Sequence, residues 1–261
     1  DVGGEPSGEI DTRDQGMTHW EKHANALRMV MTGKGLASLD EMRRAAEDLG
    51  TRFYKIGYFE RQTEAAAIAL IERGVFTQSE FDGEMEAARA RFDVPALNLP
   101  SDHDHDGKPI QEDDAGGPPN EHHIMNLAMQ ALLVARGHLT AAEVRQMIEN
   151  FDQEYPSRGA EVVVKGWMDP SFKASLLNDA KAAIASMGID LEFQDDIVAV
   201  ENTDDVHNIV VCTLCSCYPR FLLGQPPTWY KSRAYRSRTV HEPRAVLREF
   251  GTELPSSVRI Q

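Results

Sequence analysis

Three cysteines fall within the six residues Cys212-Thr213-Leu214-Cys215-Ser216-Cys217, and the chain has no others. A loop this short lets all three sulfurs converge on one face of one ion. Soft thiolates suit zinc, iron–sulfur clusters, or low-spin cobalt and iron. A structural zinc site normally takes four protein ligands, often as two separated pairs, and the string lacks a fourth. A CxxC redox motif uses two cysteines at the start of a helix that follows a strand. A plain buried loop is the third reading, after structural zinc and the redox motif.

The chain that must position this loop has 261 residues, enough for one large domain or two ordinary ones, and two are expected. Hydrophobic content of 41% is ordinary for a globular protein, and no apolar run approaches the roughly 18 residues that span a bilayer, so a soluble chain is expected. The formal charge of −15 and a pI near 5.0 oppose binding to polyphosphate or to an anionic membrane surface. Neither nucleic acid nor membrane is expected as a partner. An odd, clustered set of cysteines is no disulfide framework and favours a reducing compartment, so a cytoplasmic location is expected. Asp1-Val2-Gly3-Gly4 carries no charged leader followed by an apolar core, so no secretory signal is read there.

Trp20, Ala24, Leu27 and Met31 recur at helical spacing and predict one buried face, ended by Gly33 and Gly35. A corner then repeats: Gly35 before Ser38-x-x-Glu41, Gly74 before Thr77-x-x-Glu80, and Gly137 before Thr140-x-x-Glu143. Each pairs a helix-ending glycine with the capping box of a new helix. Around residues 95–120 the composition turns to proline, glycine and the alternation Asp102-His103-Asp104-His105-Asp106, which reads as a solvated linker. Helices are expected near 120–136 and 141–153. Another is expected from Asp169-Pro170 to Gly188, with Asp169 as N-cap. Ile197–Val200 and Val206–Val211 are β-branched runs around Asn202-Thr203-Asp204 and predict two strands joined by a turn, the second delivering the chain into Cys212.

Val210-Val211-Cys212-Thr213-Leu214-Cys215-Ser216-Cys217-Tyr218-Pro219 resembles the metal-binding motif of the nitrile hydratase and thiocyanate hydrolase family. The resemblance continues through Val164–Pro170, Glu201-Asn202-Thr203, Pro226–Lys231 and Glu242-Pro243-Arg244, so residues 120–261 look like the α subunit of that family. Residues 1–95 resemble the helical N-terminal part of its β subunit, through Asp1–Gly4, Trp20-Glu21-Lys22, Asp40–Arg43 and Tyr58-Phe59. Residues 96–119 join the two. The expected fold is α+β: a helical N-terminal domain, the linker, and a layered α/β metal domain.

The resemblance implies a non-corrin Co(III) ion held by Cys212, Cys215 and Cys217 and by the backbone nitrogens of Ser216 and Cys217. Thr213 and Tyr218 favour cobalt over iron. It also implies Cys215 as sulfinate and Cys217 as sulfenate, successive steps on the cysteine oxidation ladder. Arg43 matches the first of two family arginines that neutralise these anions, and paired guanidinium donors suit such oxygens. The second arginine lies in the C-terminal barrel of the family's β chain, so a partner chain in a hetero-oligomer is implied, with a cobalt-insertion activator as a further candidate partner.

On the same grounds Ser216 is expected to hydrogen-bond bound ligands, Tyr58 to shape the substrate cavity, and Gln194 to make a contact behind the metal ligands. The implied activity is hydration of a small nitrile to its amide: the metal makes the nitrile carbon electrophilic, and the Cys217 sulfenate oxygen or an activated water attacks it. Arg220 stands where most nitrile hydratases carry tryptophan, and with Gln225 it is similar to the thiocyanate hydrolase loop, which makes thiocyanate hydrolysis the second expectation. A non-catalytic metal carrier is a third.

Overall fold

The computed structural model describes residues 2–92, 119–153, 157–191 and 197–261. They group by packing into two units, one of His19–Ile148 and one that joins the stretch up to Thr18 with Glu149–Gln261. Packing therefore divides the chain elsewhere than the 1–95, 96–119 and 120–261 of the sequence reading. Residues 2–18 pack with the cysteine-bearing unit and 120–148 with the helical one. The Asp/His alternation and positions 96–118 of the linker lie outside the described residues.

The helical unit runs α1 (His19–Gly33), α2 (Leu39–Glu47), a 3-10 turn (Gly50–Tyr54), α3 (Tyr58–Glu72), α4 (Gln78–Phe92) and α5 (Glu121–Ala135), then enters α6 (Ala141–Gln153). On α1 the expected stripe is buried at Ala24, Leu27 and Met31, while Trp20 is half-buried and meets Phe59 edge to face at 6.4 Å between ring centres. All three corners form as read. Gly35, Gly74 and Gly137 take φ of +69°, +68° and +69°. Ser38, Thr77 and Thr140 exchange side-chain and backbone hydrogen bonds with Glu41, Glu80 and Glu143. Each box satisfies donors that a helix start leaves open.

Polar networks stitch this unit internally. Arg52 forks onto the Glu64 carboxylate at 2.8 and 2.5 Å, and His122 Nε2 donates to the same carboxylate at 2.7 Å. Burial by itself raises the Glu64 pKa, but the hydrogen bonds from Arg52 and His122 outweigh it and hold the carboxyl below its ordinary 4.5. His23, on α1, accepts from Asn126 Nδ2 at 2.8 Å and donates through Nε2 to Gln130, both on α5. That arrangement makes it neutral, and its burial pushes its pKa below the ordinary 6.5.

The signs follow by linkage. Both folded-state values lie below the unfolded ones, so both groups stabilise the fold above their unfolded pKa and lose that contribution as pH falls. Melting temperature is expected to drop as pH is lowered below about 6.5, where His23 begins to act, and more steeply below about 4.5, where Glu64 joins. Thermal melts of wild type and His23→Gln across pH 4–8 check this. The variant should lose part of the first decline, the rest belonging to His123, whose pKa burial also lowers, and keep the second.

The other unit begins with α7 (Ser157–Met168), α8 (Pro170–Asn178) and α9 (Ala180–Ala185). Asp169 caps α8 as expected, accepting from Ser171 N and Phe172 N, and Pro170 takes the first helical position. One helix was expected from Pro170 to Gly188, but the chain breaks at Asp179. Its backbone is extended (φ −146°, ψ 89°) and its side chain accepts from Ala182 N, so it restarts the helix as a new N-cap. Val162, Phe172, Ala183, Ile184, Leu191 and Leu222 form the core here.

After these come β1 (Val206–His207), α10 (Arg220–Leu223), α11 (Thr228–Lys231), α12 (Arg233–His241), α13 (Pro243–Glu249) and β2 (Arg259–Ile260). The two strands pair in parallel, Val206 with Arg259 and His207 with Ile260. The expected hairpin is thus replaced. Residues 197–200 form no ladder, and the second run is a strand for two residues only, with its partner at the far end of the sequence. Side chains of the turn take the backbone groups that a hairpin would have used: Thr203 Oγ1 accepts from Asp205 N and Val206 N, and Asn208 bonds to Asn202 and to Glu201 O. The alternation survives without the strand, since Ile197 and Ala199 pack on the core while Val198 and Val200 are exposed. The architecture is mostly helical with a small sheet, in the α+β class. Among the described residues no helix is long and apolar enough to cross a membrane.

α10 lies against α7 at Gly159, where an added Cβ would fall 2.9 Å from the Leu222 carbonyl oxygen and 2.4 Å from Leu223 Cδ2. Since one obstacle is backbone, Gly159→Ala is expected to destabilise by about 1–3 kcal/mol, read from a denaturant midpoint.

Candidate metal centre

Between β1 and α10 the chain makes a tight turn at Thr213–Cys215. The three thiols are free. Cys215 Sγ lies 3.6 Å from Cys212 Sγ and 3.1 Å from Cys217 Sγ, all three sulfurs lie within 4.8 Å of one another, and Cys215 N donates to Cys212 Sγ at 3.4 Å. For a metal–sulfur length of about 2.3 Å, sulfurs at tetrahedral angles sit about 3.8 Å apart and at right angles about 3.2 Å. The 215–217 separation matches the right-angle value. Cys212 and Cys215 are half-buried and Cys217 is exposed, so the cluster has a closed side and an open one.

The three sulfurs share charge unequally. Hydrogen bonds from Cys215 and Cys217 push the Cys212 thiol far down, and those to Cys212 and Cys217, together with burial, push the Cys215 thiol far up. One thiolate forms readily, and two or three together need a cation among them.

Ser216 supplies a second mark of a site. Its φ of +54° lies in the left-handed region, unlike any other non-glycine among the described residues. This conformation costs about 1–3 kcal/mol and persists where the surroundings over-determine it. Its Oγ is buried and, among the described residues, has no hydrogen-bond partner. A soft metal ion fits these donors: three sulfurs on one side of a turn, with a strained backbone amide and a buried hydroxyl between two of them.

The elements after the turn hold it from behind. Tyr230 Oη donates to Cys217 O at 2.7 Å and Tyr235 Oη to Val210 O at 2.7 Å. Both rings sit in an aromatic core with Trp229, Phe250 and Ile10. Burial pushes the Tyr235 phenol up to about 12, so it remains a donor at neutral pH. Arg236, wholly buried on α12, donates from Nε to Cys212 O at 3.1 Å and from Nη2 to Thr213 O and Leu214 O at 2.5 and 2.7 Å. Val2 N, from the N-terminal arm, also donates to Thr213 O, at 3.2 Å. Sequence reasoning missed Tyr230, Tyr235, Arg236 and Val2. Arg233, Arg236 and Arg238 all lie on the short helix α12, and nothing in the spacing says which one turns inward.

The family model described as "Nitrile hydratase, alpha chain" matches residues 120–261, and that described as "Nitrile hydratase beta subunit, N-terminal" matches residues 1–114. The chain belongs to the nitrile hydratase family. A cobalt-containing nitrile hydratase subunit alpha from Pseudonocardia thermophila is 48% identical over 136 residues, covering 51% of this chain and 67% of the relative. A thiocyanate hydrolase subunit gamma from Thiobacillus thioparus is 35% identical over 149 residues, 53% and 61% of the two chains. The solved structure of a recombinant thiocyanate hydrolase comprising partially-modified cobalt centers matches with a TM-score of 0.50 at 33% identity, covering 55% of this chain and 71% of that one. The matches thus span roughly two thirds of each relative and half of this chain.

Of the residues singled out in the sequence, the structure brings Cys212, Cys215 and Cys217 together, with Ser216 between the last two. Arg220 opens α10 three residues beyond Cys217, its guanidinium 4.6 Å over the Phe221 ring and 5.5 Å over Phe151. Arg43 and Tyr58 belong to the helical unit: Arg43 is half-buried on α2 and pairs with Asp40 at 3.1 Å, and Tyr58 starts α3 with its ring edge-on to Phe59. Gln194 lies outside the described residues.

Proposed function

We propose that the chain is the metal-bearing part of a nitrile hydratase that converts nitriles to amides. The observation that carries this reading is the convergence of three free thiols around a strained, buried Ser216. Likeness to relatives named as cobalt-containing nitrile hydratase subunits supports it. Cys212, Cys215 and Cys217 would hold non-corrin Co(III) together with the backbone nitrogens of Ser216 and Cys217. When bound, that ion supplies Lewis acidity toward the nitrile.

The remaining chemistry belongs to the chain. Cys217, on the open side, would carry as sulfenate an oxygen with one of two roles. Either it attacks the nitrile carbon, its S–O bond then breaking and being restored by the oxygen of a water, or it takes a proton from a water that attacks that carbon itself. In both cases one water is consumed and its two protons end on the amide nitrogen. Cys215, on the closed side, is held as sulfinate. Ser216 Oγ donates to an oxygen of an oxidised cysteine or to bound substrate. Arg43 neutralises the oxidised sulfurs and Tyr58 shapes the cavity, while Gln194 supports the ligands from behind. A partner chain brings the second arginine on a barrel like that at the C-terminus of the family's β chain, so the working form is a hetero-oligomer; a cobalt-insertion activator loads it, and the cytoplasm is its compartment.

Purified complex is expected to contain about one cobalt per chain, to show two added oxygens on Cys215 and one on Cys217 by peptide mass spectrometry, and to form amide from a small nitrile. Zinc with unmodified cysteines would overturn the reading.

Thiocyanate hydrolysis is the second reading, favoured by the Arg220 guanidinium stacked beside the cysteine loop, which suits an anionic substrate. Parallel assays for amide and for carbonyl sulfide separate the two; exclusive turnover of thiocyanate removes the first. If Arg220 draws an anion, Arg220→Trp is expected to lower any thiocyanate turnover about tenfold or more while nitrile turnover changes little.

A further inference from the structure

We infer that Arg236 is a positioning residue that sets the cysteine loop in its metal-ready shape before any metal arrives, with the N-terminal arm as the second half of the clamp. The inference rests on the metal-binding reading above but concerns residues that the reading does not use.

Three consecutive carbonyls, those of Cys212, Thr213 and Leu214, turn toward one guanidinium. Their negative ends repel one another, so such convergence needs a cation or several donors behind it. Arg236 supplies both from a position with no solvent exposure. Burying a guanidinium costs several kcal/mol unless its donors are used, and its planar fork reaches several acceptors at once where an ammonium acts as a point charge.

With those carbonyls fixed on the inner side, the turn from Cys212 to Cys215 has little freedom left. Cys215 N is then held on Cys212 Sγ at 3.4 Å. The arm adds an independent restraint. Val2 is wholly buried and its N–H shares Thr213 O with Arg236. Gly4 N donates to Ser237 O at 3.1 Å, Ser237 Oγ donates to Glu5 O, and Ile10 N donates to Glu249 Oε2 at 3.0 Å. The residue next to Arg236 on α12 is therefore itself pinned by the arm. Loop, α12 and arm form one restrained assembly around Thr213 O.

The test compares the purified full-length complex of wild type, Arg236→Met, Arg236→Lys and Val2→Pro, grown with cobalt. Three properties are measured: release of cobalt to a chelator, the sulfur-to-cobalt absorption band, and, in metal-free protein, the rate at which the cysteines react with a disulfide reagent. Groups that orient metal ligands typically change metal affinity by 10–100-fold. Arg236→Met is therefore expected to release cobalt at least about tenfold faster, to shift the band, and to raise the thiol reaction rate. Arg236→Lys should recover part of each change, and Val2→Pro should show a smaller change in the same direction.

Wild-type release, band and thiol rates in Arg236→Met overturn the inference. Should that variant not fold, Arg236→Lys and Val2→Pro decide it by the same measures, wild-type behaviour in both counting against it. A wild type that takes up no cobalt sinks the metal reading separately, and the thiol rates then still decide whether Arg236 shapes the loop.

Discussion

Cys215→Ser is expected to remove bound cobalt and with it all detectable amide formation, a larger loss than the roughly 100-fold that follows from disturbing groups behind a metal ligand. Cys215 stands between the other two sulfurs, 3.6 Å from one and 3.1 Å from the other, so its loss leaves Cys212 and Cys217 without the sulfur that bridges them. A hydroxyl there is a hard donor in place of a soft one and does not oxidise to a sulfinate. The fold should survive, because the turn is also held by Arg236, Tyr230 and Tyr235 on backbone carbonyls that serine leaves intact. Elemental analysis, nitrile turnover and a thermal melt on the same preparation check all three parts. Full cobalt content and turnover in the variant would remove the cluster from the chemistry.

Arg43→Lys is expected to lower nitrile turnover about 100-fold while cobalt content and melting temperature stay near wild type. The two consequences separate because lysine keeps the charge that pairs with Asp40. Its ion pair with Asp40 joins neighbours on one helix, and the Asp40 side chain is 90% exposed. Such pairs contribute about 0.3–0.5 kcal/mol, and lysine retains the charge. What lysine lacks is the planar fork that can bond two sulfur-borne oxygens together. If turnover is unchanged, Arg43 is an ordinary helix-surface residue; if melting temperature falls with turnover, its role is structural.

The helical unit was legible in the sequence because its signals are local. A glycine and a hydroxyl residue three before a glutamate specify a corner within seven residues, and Gly35, Gly74 and Gly137 each make the corner their neighbours announce. The run after Asp169 was legible at its ends only. Asp179 offers its carboxylate to a backbone amide in a stretch whose apolar spacing otherwise continues a helix.

The strands failed for the opposite reason. β1 pairs with residues more than fifty positions later, and a non-local partner leaves no trace in the composition of the run itself. At the site, cysteine spacing announced the cluster, since three thiols in six residues have few ways not to meet. The clamp was silent. Arg236 is one of several arginines on α12, and its burial depends on a loop more than twenty residues upstream. Val2 reaches the same carbonyl from the opposite end of the sequence.

Because residues 2–18 belong to the cysteine-bearing unit and 120–148 to the helical one, neither sequence half holds a complete core. Ile10 sits in the aromatic cluster under the cysteine turn, and His122 and Asn126 complete networks begun by Glu64 and His23. A proteolytic nick anywhere between residues 92 and 119 would thus leave two fragments that each contribute interior to both units. They should remain associated through chromatography and part only on denaturation. Joined as one polypeptide, the halves are also made in equal number, so each synthesised chain comes with both contributors to each core at a fixed one-to-one stoichiometry.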